Sequence, residues 1–230
     1  MRDLDLLARG EISIKGRIPR SSNATFLVEV SFEGATAQAV YKPAKGERPL
    51  WDFPPDLFRR EVAAYRLSEA LGWGLVPPTV EREGPFGEGS LQRFVEADFE
   101  QHYFTLCEDS AHHDRLKRIC LFDLVVNNAD RKSGHCLLGA DRLIYAIDNA
   151  LTFHTEPKLR TVIWEFGGQP IPKPMLADVK LVFASGVPTE LAELLDPEER
   201  KTLVARARAV VKEGTFPEDR GGRRYPWPPI

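Results

Sequence analysis

The sequence has little cysteine, and the few cysteines show no pairing. It contains 3 cysteines among 230 residues, at positions 107, 120 and 136. A sparse, odd count is typical of a reducing compartment rather than a disulfide framework, so we expect a cytoplasmic protein. Cys120 lies in an apolar helical run and is expected in the core, as free cysteines commonly are. Cys136 adjoins His135 and is a possible metal ligand, but no second cysteine nearby supports a zinc site.

The sequence also lacks an excess of basic charge and a long hydrophobic run. Its formal net charge of −3 gives no electrostatic signature of nucleic-acid binding. No stretch approaches the roughly 20 apolar residues that cross a bilayer. Residues 1–16 carry acids early and match neither a signal peptide nor a transit peptide. We therefore expect no nucleic-acid partner and no integral membrane contact.

The first hundred residues read mostly as strands. Residues 25–32 and 37–42 are rich in β-branched and aromatic side chains, and together they predict a hairpin. After a loop rich in proline and glycine, the apolar spacing of residues 57–71 predicts a helix. Further strands are predicted at residues 76–83 and 90–96.

The second half changes character, because helical spacing dominates it. Two short strands are predicted at residues 136–138 and 143–147, after a polar loop. The predicted helices span residues 114–126, 173–184, 189–195 and 197–212.

Strands followed by helices indicate an α+β chain or two lobes that share a cleft. We expect an N-lobe over residues 1–96 and a C-lobe over residues 97–230, with the hinge near residues 96–99. The two lobes would form one catalytic unit.

Two residues of the first half fit the needs of phosphoryl transfer, which requires a cation to hold the nucleotide phosphates. Lys42 ends a predicted strand and is a candidate phosphate ligand, although a lone lysine is more often a solvated surface residue. Glu61 lies on the following helix and is a candidate partner that positions Lys42. Taken alone, Glu61 is one of many acids that favour a first helical turn. Their order along the chain favours the functional interpretation of both.

A second group of candidates follows the helix that ends at residue 126. Asp130 can accept a hydrogen bond from an incoming hydroxyl, or it can cap its own turn. Arg131 can bridge to an acidic residue or a phosphate, or it can lie on the surface. His135 is placed to supply a second metal ligand, although a lone histidine is more often structural.

Asp148 is the strongest single candidate for a metal ligand. It ends the short apolar strand that is predicted at residues 143–147. A carboxylate at the end of a buried strand is costly unless it is paired or bound to a metal. The alternative is an ordinary helix-capping or turn aspartate.

Five segments, in this order, resemble the phosphatidylinositol 3-/4-kinase superfamily, and within it the type II phosphatidylinositol 4-kinases and their small bacterial relatives. The segments are a Ser-rich nucleotide loop at 21–26, a lysine strand at 39–43, a hinge at 90–96, a catalytic loop at 122–131 and a metal motif at 147–153.

The resemblance implies a two-lobed, protein-kinase-like α+β fold and a kinase that transfers phosphate from ATP to an alcohol group, with Mg²⁺ or Mn²⁺ as cofactor. It implies that Asp130 and Arg131 are catalytic, that Asp148 and His135 hold the metal, and that Asp123 braces the catalytic loop. The nucleotide-binding residues that it implies are Ser21, Ser22, Asn23, Lys42, Glu61, Gln92, Phe94 and Val95.

Three features depart from the pattern of that superfamily. His135 stands where the family usually has asparagine, and Ala150 stands where it has glycine. The loop between Lys42 and Glu61 has no cysteine cluster of the kind that eukaryotic type II enzymes palmitoylate. We therefore expect the acceptor hydroxyl on a protein or small molecule rather than a lipid. The alternative is a nucleotide-binding pseudokinase or scaffold module without turnover.

Overall fold

The computed structural model describes residues 2–19, 21, 23–219, 221–222 and 224–229. An antiparallel five-stranded sheet, in the order β1-β2-β3-β5-β4, forms in the first part of the chain. Its strands are β1 (Glu11–Arg17), β2 (Phe26–Phe32), β3 (Ala35–Pro43), β4 (Thr79–Gly84) and β5 (Gly87–Arg93). Helix α1 (Arg2–Arg9) precedes the sheet, and helix α2 (Leu57–Ala70) connects β3 to β4.

Strand β3 carries different side chains on its two faces, because successive residues of a strand point in opposite directions. Ala39 and Tyr41 are fully buried in a core that includes Leu7 of α1. Val40 and Lys42 alternate with them and line a cavity on the other face. The Lys42 side chain therefore points into the cleft between the strand-rich and helix-rich parts.

The structure adds elements that the sequence patterns did not predict. Helix α1 has only 8 residues, which is too short to give a clear helical period, yet its Leu6 and Leu7 are buried. Strand β1 pairs with β2 and extends the predicted hairpin to three strands. Strand β4 begins at Thr79, not at residue 76, because Pro77 and Pro78 lack the N–H groups that a sheet needs.

The helical part is built around α4 (His113–Val126), most of whose apolar side chains are buried. Helix α4 ends at Asn127, whose positive φ of 57° is a common helix-ending conformation for asparagine. The other elements are α3 (Tyr103–Leu106), β6 (Cys136–Leu138), β7 (Ile144–Ala146), α5 (Lys173–Val182), α6 (Thr189–Ala192) and α7 (Pro197–Glu213). Helix α3 was not predicted, and α5 and α6 end two and three residues before the predicted positions.

The cysteines are reduced, and two of them are buried. Cys120 is 5% exposed and belongs to the main core, as its helical spacing predicted. Cys136 is fully buried in the same core and is therefore a packing residue. No helix of the described residues is long and apolar enough to cross a membrane.

Candidate active site

A cavity of about 410 Å³ lies between the five-stranded sheet and the β6–β7 hairpin. Leu27 and Val40 of the sheet form one wall, and Leu137 and Ile147 form the other. Apolar walls of this kind suit a flat aromatic ring. One end of the cavity is charged, because Lys42, His135 and Asp148 line it.

Lys42 lies between two carboxylates at the charged end of the cavity. Its Nζ donates to Oε1 of Glu61 and, over 2.8 Å, to Oδ1 of Asp148. Burial lowers the pKa of Lys42, but Asp148 and Glu61 outweigh it and keep the pKa above its ordinary value. The Lys42 ammonium in turn holds the pKa of Asp148 below its usual range. Lys42 and Asp148 are therefore both charged at neutral pH.

Glu61 and Asp148 differ in exposure, although they share Lys42. The Glu61 side chain is 2% exposed, and its Oε2 accepts a hydrogen bond of 2.9 Å from the backbone N–H of Asn149. The Asp148 side chain is 47% exposed and faces the cavity. Both carboxylate oxygens of Glu61 therefore accept hydrogen bonds within the protein, whereas Oδ2 of Asp148 remains available to a ligand.

His135 and Asp148 form a pair of candidate metal donors. Nδ1 of His135 lies 3.0 Å from the carbonyl oxygen of Asp130, which can only accept, and 3.4 Å from the backbone N–H of Lys132, which can only donate. The shorter contact assigns the proton to Nδ1. The unprotonated Nε2 then faces Oδ2 of Asp148 at 3.5 Å. Burial lowers the pKa of His135 to about 4, so the ring is neutral at pH 7. Two lone pairs that converge in this way suit a divalent cation between them.

Asp130 lies at the start of the loop that leads to His135. Its backbone N–H donates to Oδ1 of Asn128 over 2.9 Å, and its Oδ2 lies 3.6 Å from Nζ of Lys132. The side chain is 29% exposed. Burial raises the pKa of Asp130 to about 6, although Lys132 opposes the shift. Asp130 can therefore exchange a proton near neutral pH, as a general base must.

The structure places Arg131 inside the protein, where it bridges to an acidic residue, as one of the sequence-based interpretations allowed. Its side chain is fully buried, and it binds Asp123 through Nε at 3.0 Å and Nη2 at 2.9 Å. Arg131 also donates to the carbonyl of Ile147 at 2.6 Å and to Oδ1 of Asn149 at 2.7 Å. Arg131 therefore ties the loop of Asp130 to the loop of Asp148, and its catalytic role stays a prediction.

Two of the predicted nucleotide-loop residues have different surroundings, and the third is not described. Ser21 lines the cavity, and its Oγ lies 2.7 Å from Oγ1 of Thr25. Asn23 uses its Oδ1 to accept from the backbone N–H of Arg48 at 3.0 Å, so its side chain shapes the loop. Ser22 lies outside the described residues.

The predicted hinge residues reach the cavity. Gln92, Phe94 and Val95 all line it. The Gln92 side chain is already engaged, because its Nε2 donates to Oγ1 of Thr79 at 2.8 Å.

A second cavity of about 600 Å³ lies on the other side of the hinge. Lys42, His135 and Asp148 line the smaller one, so we place the candidate site there.

Sequence reasoning gave no individual role to Asn128 and Asn149, yet both organise the site. Asn128 donates from Nδ2 to Oδ1 of Asp123 at 3.0 Å, in addition to capping Asp130. Asn149 contacts both Arg131 and Glu61. Asn128 lies inside the catalytic-loop segment 122–131 and Asn149 inside the metal-motif segment 147–153, which is the signal that could have identified them.

Ala150 fits the loop without strain. The positive φ angles near it, among the described residues, belong to Asp148 at 56° and Phe153 at 62°. Aspartate is one of the few residues that tolerate this region. Because Ala150 keeps an ordinary φ, an alanine at this position does not distort the backbone.

The chain has an extensive relative of known sequence. It is 39% identical to Protein Rv2133c of Mycobacterium tuberculosis, over 97% of this chain and 94% of the relative. The chain belongs to the family of that protein. No protein-family model matches it.

Two solved structures are similar in fold. A structure of hydra Fam20 with sugar has a TM-score of 0.58 at 14% identity and covers 94% of this chain and 91% of its own. The Helicobacter pylori proinflammatory kinase CtkA has a TM-score of 0.50 at 10% identity and covers 91% and 94%. These likenesses show a kinase-like α+β fold, which confirms the predicted fold class. They do not assign the chain to the phosphatidylinositol 3-/4-kinase superfamily.

Proposed function

We propose that this protein is an ATP-dependent kinase that transfers the γ-phosphate to a hydroxyl group. The observation that carries the proposal is the charged end of the cavity. There, Lys42 is held between Glu61 and Asp148, and Asp148 faces the unprotonated nitrogen of His135. A strand lysine that is paired with a helix glutamate, beside a metal-binding aspartate, is the arrangement that positions nucleotide phosphates in kinases.

The cavity offers a place for each part of ATP. The apolar walls of Leu27, Val40 and Leu137 would take the adenine ring, beside the hinge residue Val95. Lys42 would hold the phosphates. We propose that Asp148 and His135 bind Mg²⁺ or Mn²⁺, which would neutralise the charge that develops on the transferred phosphate.

The metal is expected to bind together with the nucleotide. Among the described residues no group of three or more acidic, histidine or cysteine side chains is arranged to hold an ion. Mg²⁺ is usually bound by one or two carboxylates, with phosphate oxygens and water completing its six ligands. Asp148 supplies one such carboxylate, and His135 adds a nitrogen donor beside it. We therefore expect weak metal binding without ATP.

Asp130 is the proposed catalytic base. It is partly exposed beside the metal-binding pair, and its backbone carbonyl already orients His135. With a pKa of about 6 it is mostly a carboxylate at pH 7. It can then accept the proton of the acceptor hydroxyl as that oxygen attacks the phosphate.

The five motifs support a place among small bacterial relatives of the type II phosphatidylinositol 4-kinases, and we keep this assignment as part of the proposal. We also keep the lobe boundary between residues 96 and 97. The acceptor that we propose is a hydroxyl on a protein or small molecule, since the loop between Lys42 and Glu61 lacks the cysteines that anchor the eukaryotic enzymes to membranes.

The test is to incubate the purified protein with γ-labelled ATP, Mg²⁺ or Mn²⁺, and a cell extract. We expect metal-dependent ATP hydrolysis or labelling of an acceptor, and its loss in Asp130→Ala and Asp148→Asn. Asp114→Asn is the matched control, because this aspartate is exposed on α4, away from the cavity. If both site variants retain full activity, the proposal is wrong.

The alternative, a nucleotide-binding module without turnover, gives a different result. Such a module would bind ATP in a thermal-shift titration but would not release or transfer the label. The ordinary φ of Ala150 favours the active enzyme over this alternative, because the alanine leaves the backbone of the metal motif undistorted.

A further inference from the structure

Two adjacent residues of α2 hold the loop that carries Asp148. Glu61 accepts from the backbone N–H of Asn149 at 2.9 Å, as described above. Its neighbour Arg60 donates from Nε to the carbonyl oxygen of Thr152 at 3.0 Å. The Thr152 hydroxyl closes the loop on itself by donating to the carbonyl of Asn149 at 2.7 Å. Helix α2 is therefore hydrogen-bonded to both ends of the segment 149–152.

Arg60 is itself fixed from the far side by α7. Its Nη2 donates to Oε1 of Glu199, and both residues are 5% exposed. Glu199 also belongs to the capping box that begins α7, because its Oε2 accepts from the backbone N–H of Asp196 at 3.0 Å. Arg59 links α2 to the end of α6, because its Nη2 donates to the carbonyl oxygen of Glu193 at 2.9 Å.

These contacts form one continuous connection. It runs from the start of α7 through Glu199 and Arg60 to Thr152, and it meets the Lys42–Glu61 pair at Asn149. Because Arg60 attaches α2 to α7, α2 cannot move away from Lys42 unless the buried Arg60–Glu199 ion pair breaks. Removing one partner of such a pair is costly, because the other charge is left buried and unpaired.

We propose that Arg60 and Glu199 are positioning residues that hold the Asp148 loop and the Lys42–Glu61 pair in their binding arrangement before any ligand arrives. They touch neither nucleotide nor metal themselves. The connection is a property of the chain without ligands. Its effect on metal-dependent nucleotide binding rests on the proposed function.

The deciding experiment is hydrogen exchange of the protein without ligands. The test variant is the double substitution Arg60→Met with Glu199→Gln, which leaves no unpaired buried charge and retains a side-chain acceptor for the capping box. The control is Asp196→Ala, which weakens the cap of the same helix and leaves the Arg60–Glu199 pair intact. Single Arg60→Lys serves as a second test variant if the double variant does not fold, because it keeps a cation beside Glu199 and loses the Nε donor to Thr152.

We expect the amides of residues 148–153 to exchange about tenfold faster in the test variant, because each lost charged hydrogen bond lowers the local opening free energy. In Asp196→Ala their exchange should stay at the wild-type rate, and any change should be confined to α7. The inference is overturned if residues 148–153 exchange equally in both variants, or if faster exchange spreads evenly through the sheet and α7.

A second measurement separates this inference from the proposed function. The affinity for a non-hydrolysable ATP analogue is titrated with and without Mg²⁺. We expect the test variant to lose most of the gain in affinity that Mg²⁺ gives the wild-type protein, and the control to keep it. If the wild-type protein shows no such gain, the proposed function fails, and the exchange experiment still decides whether Arg60 and Glu199 hold the loop.

Discussion

Two networks of charged side chains lie within a few residues of each other, and they differ most in exposure. The inner network joins Asp123 to Arg131, and both side chains are fully buried. The outer network joins Lys42 to Glu61 and Asp148, and the Asp148 side chain is 47% exposed at the cavity. Both networks contain a cation between oxygen acceptors, yet only the outer one can be reached by a ligand.

This difference in exposure indicates that the two networks have different roles. The hydrogen-bonding groups of Arg131 are taken up by Asp123, Asn149 and two backbone carbonyls, so its charge is balanced within the protein. Asp148 keeps an oxygen that faces His135 and the cavity. We infer that the inner network fixes the positions of the two loops, and that the outer network uses those positions to bind phosphate and metal.

The largest expected effect is on the inner network. Asp123→Ala leaves the Arg131 charge buried and unpaired, and we expect the free energy of unfolding to fall by about 3–5 kcal/mol. Urea denaturation measures it. Asp114→Ala on the same helix should change stability by less than about 1 kcal/mol, because that aspartate is exposed. Equal stability of the two variants would contradict the assigned role of the inner network.

The outer network should respond mainly in turnover. Lys42→Met removes the cation that would hold the phosphates, and we expect turnover of ATP to fall about 10²–10³-fold. The melting temperature should fall as well, because the Glu61 side chain is 2% exposed and loses its ion-pair partner. A variant with wild-type turnover would show that Lys42 does not bind the phosphates.

The pH dependence should report Asp130, which lies at the edge of the outer network. A general base acts as the carboxylate, so the rate should rise with pH, with a midpoint near the Asp130 pKa of about 6, and level off above it. Lys132→Met removes a charge that lowers this pKa, so the midpoint should move to higher pH. A profile that is flat between pH 5 and 8 would exclude Asp130 as the base.

The smallest effect is expected at His135. His135→Asn replaces a nitrogen ligand with an oxygen ligand, and we expect the metal affinity to change while turnover is retained. The preference should shift from Mn²⁺ towards Mg²⁺, since an amide oxygen is the harder ligand. Activity titrated against each metal measures this shift. If the metal dependence is unchanged, His135 is not a ligand.

The outer network was easier to predict from the sequence than the inner one. Lys42 at the end of a strand, Glu61 on the next helix and Asp148 at the end of an apolar strand each stand in a pattern with a physical meaning. The structure brings these three together. The pattern could not show that Arg131 points inward, because an arginine in a polar loop is ordinarily exposed.

Contacts between distant segments were beyond the sequence patterns. Arg60 and Glu199 are 139 positions apart, and each is an unremarkable charged residue on its own helix. Helix α1 could not be predicted for the same reason, because its short apolar face is buried only by packing against the sheet. Local periodicity predicts which elements form, whereas burial of a charge depends on which elements meet.

The central claim is that Asp148 and Lys42 bind one metal–nucleotide complex in the cavity. Calorimetric titration of a non-hydrolysable ATP analogue, with Mg²⁺ and with a chelator, tests it in the wild-type protein and in Asp148→Asn. We predict that Mg²⁺ tightens binding at least about tenfold in the wild-type protein and has no effect in the variant. An equal gain from Mg²⁺ in both proteins, or no binding by the wild-type protein, would contradict the claim.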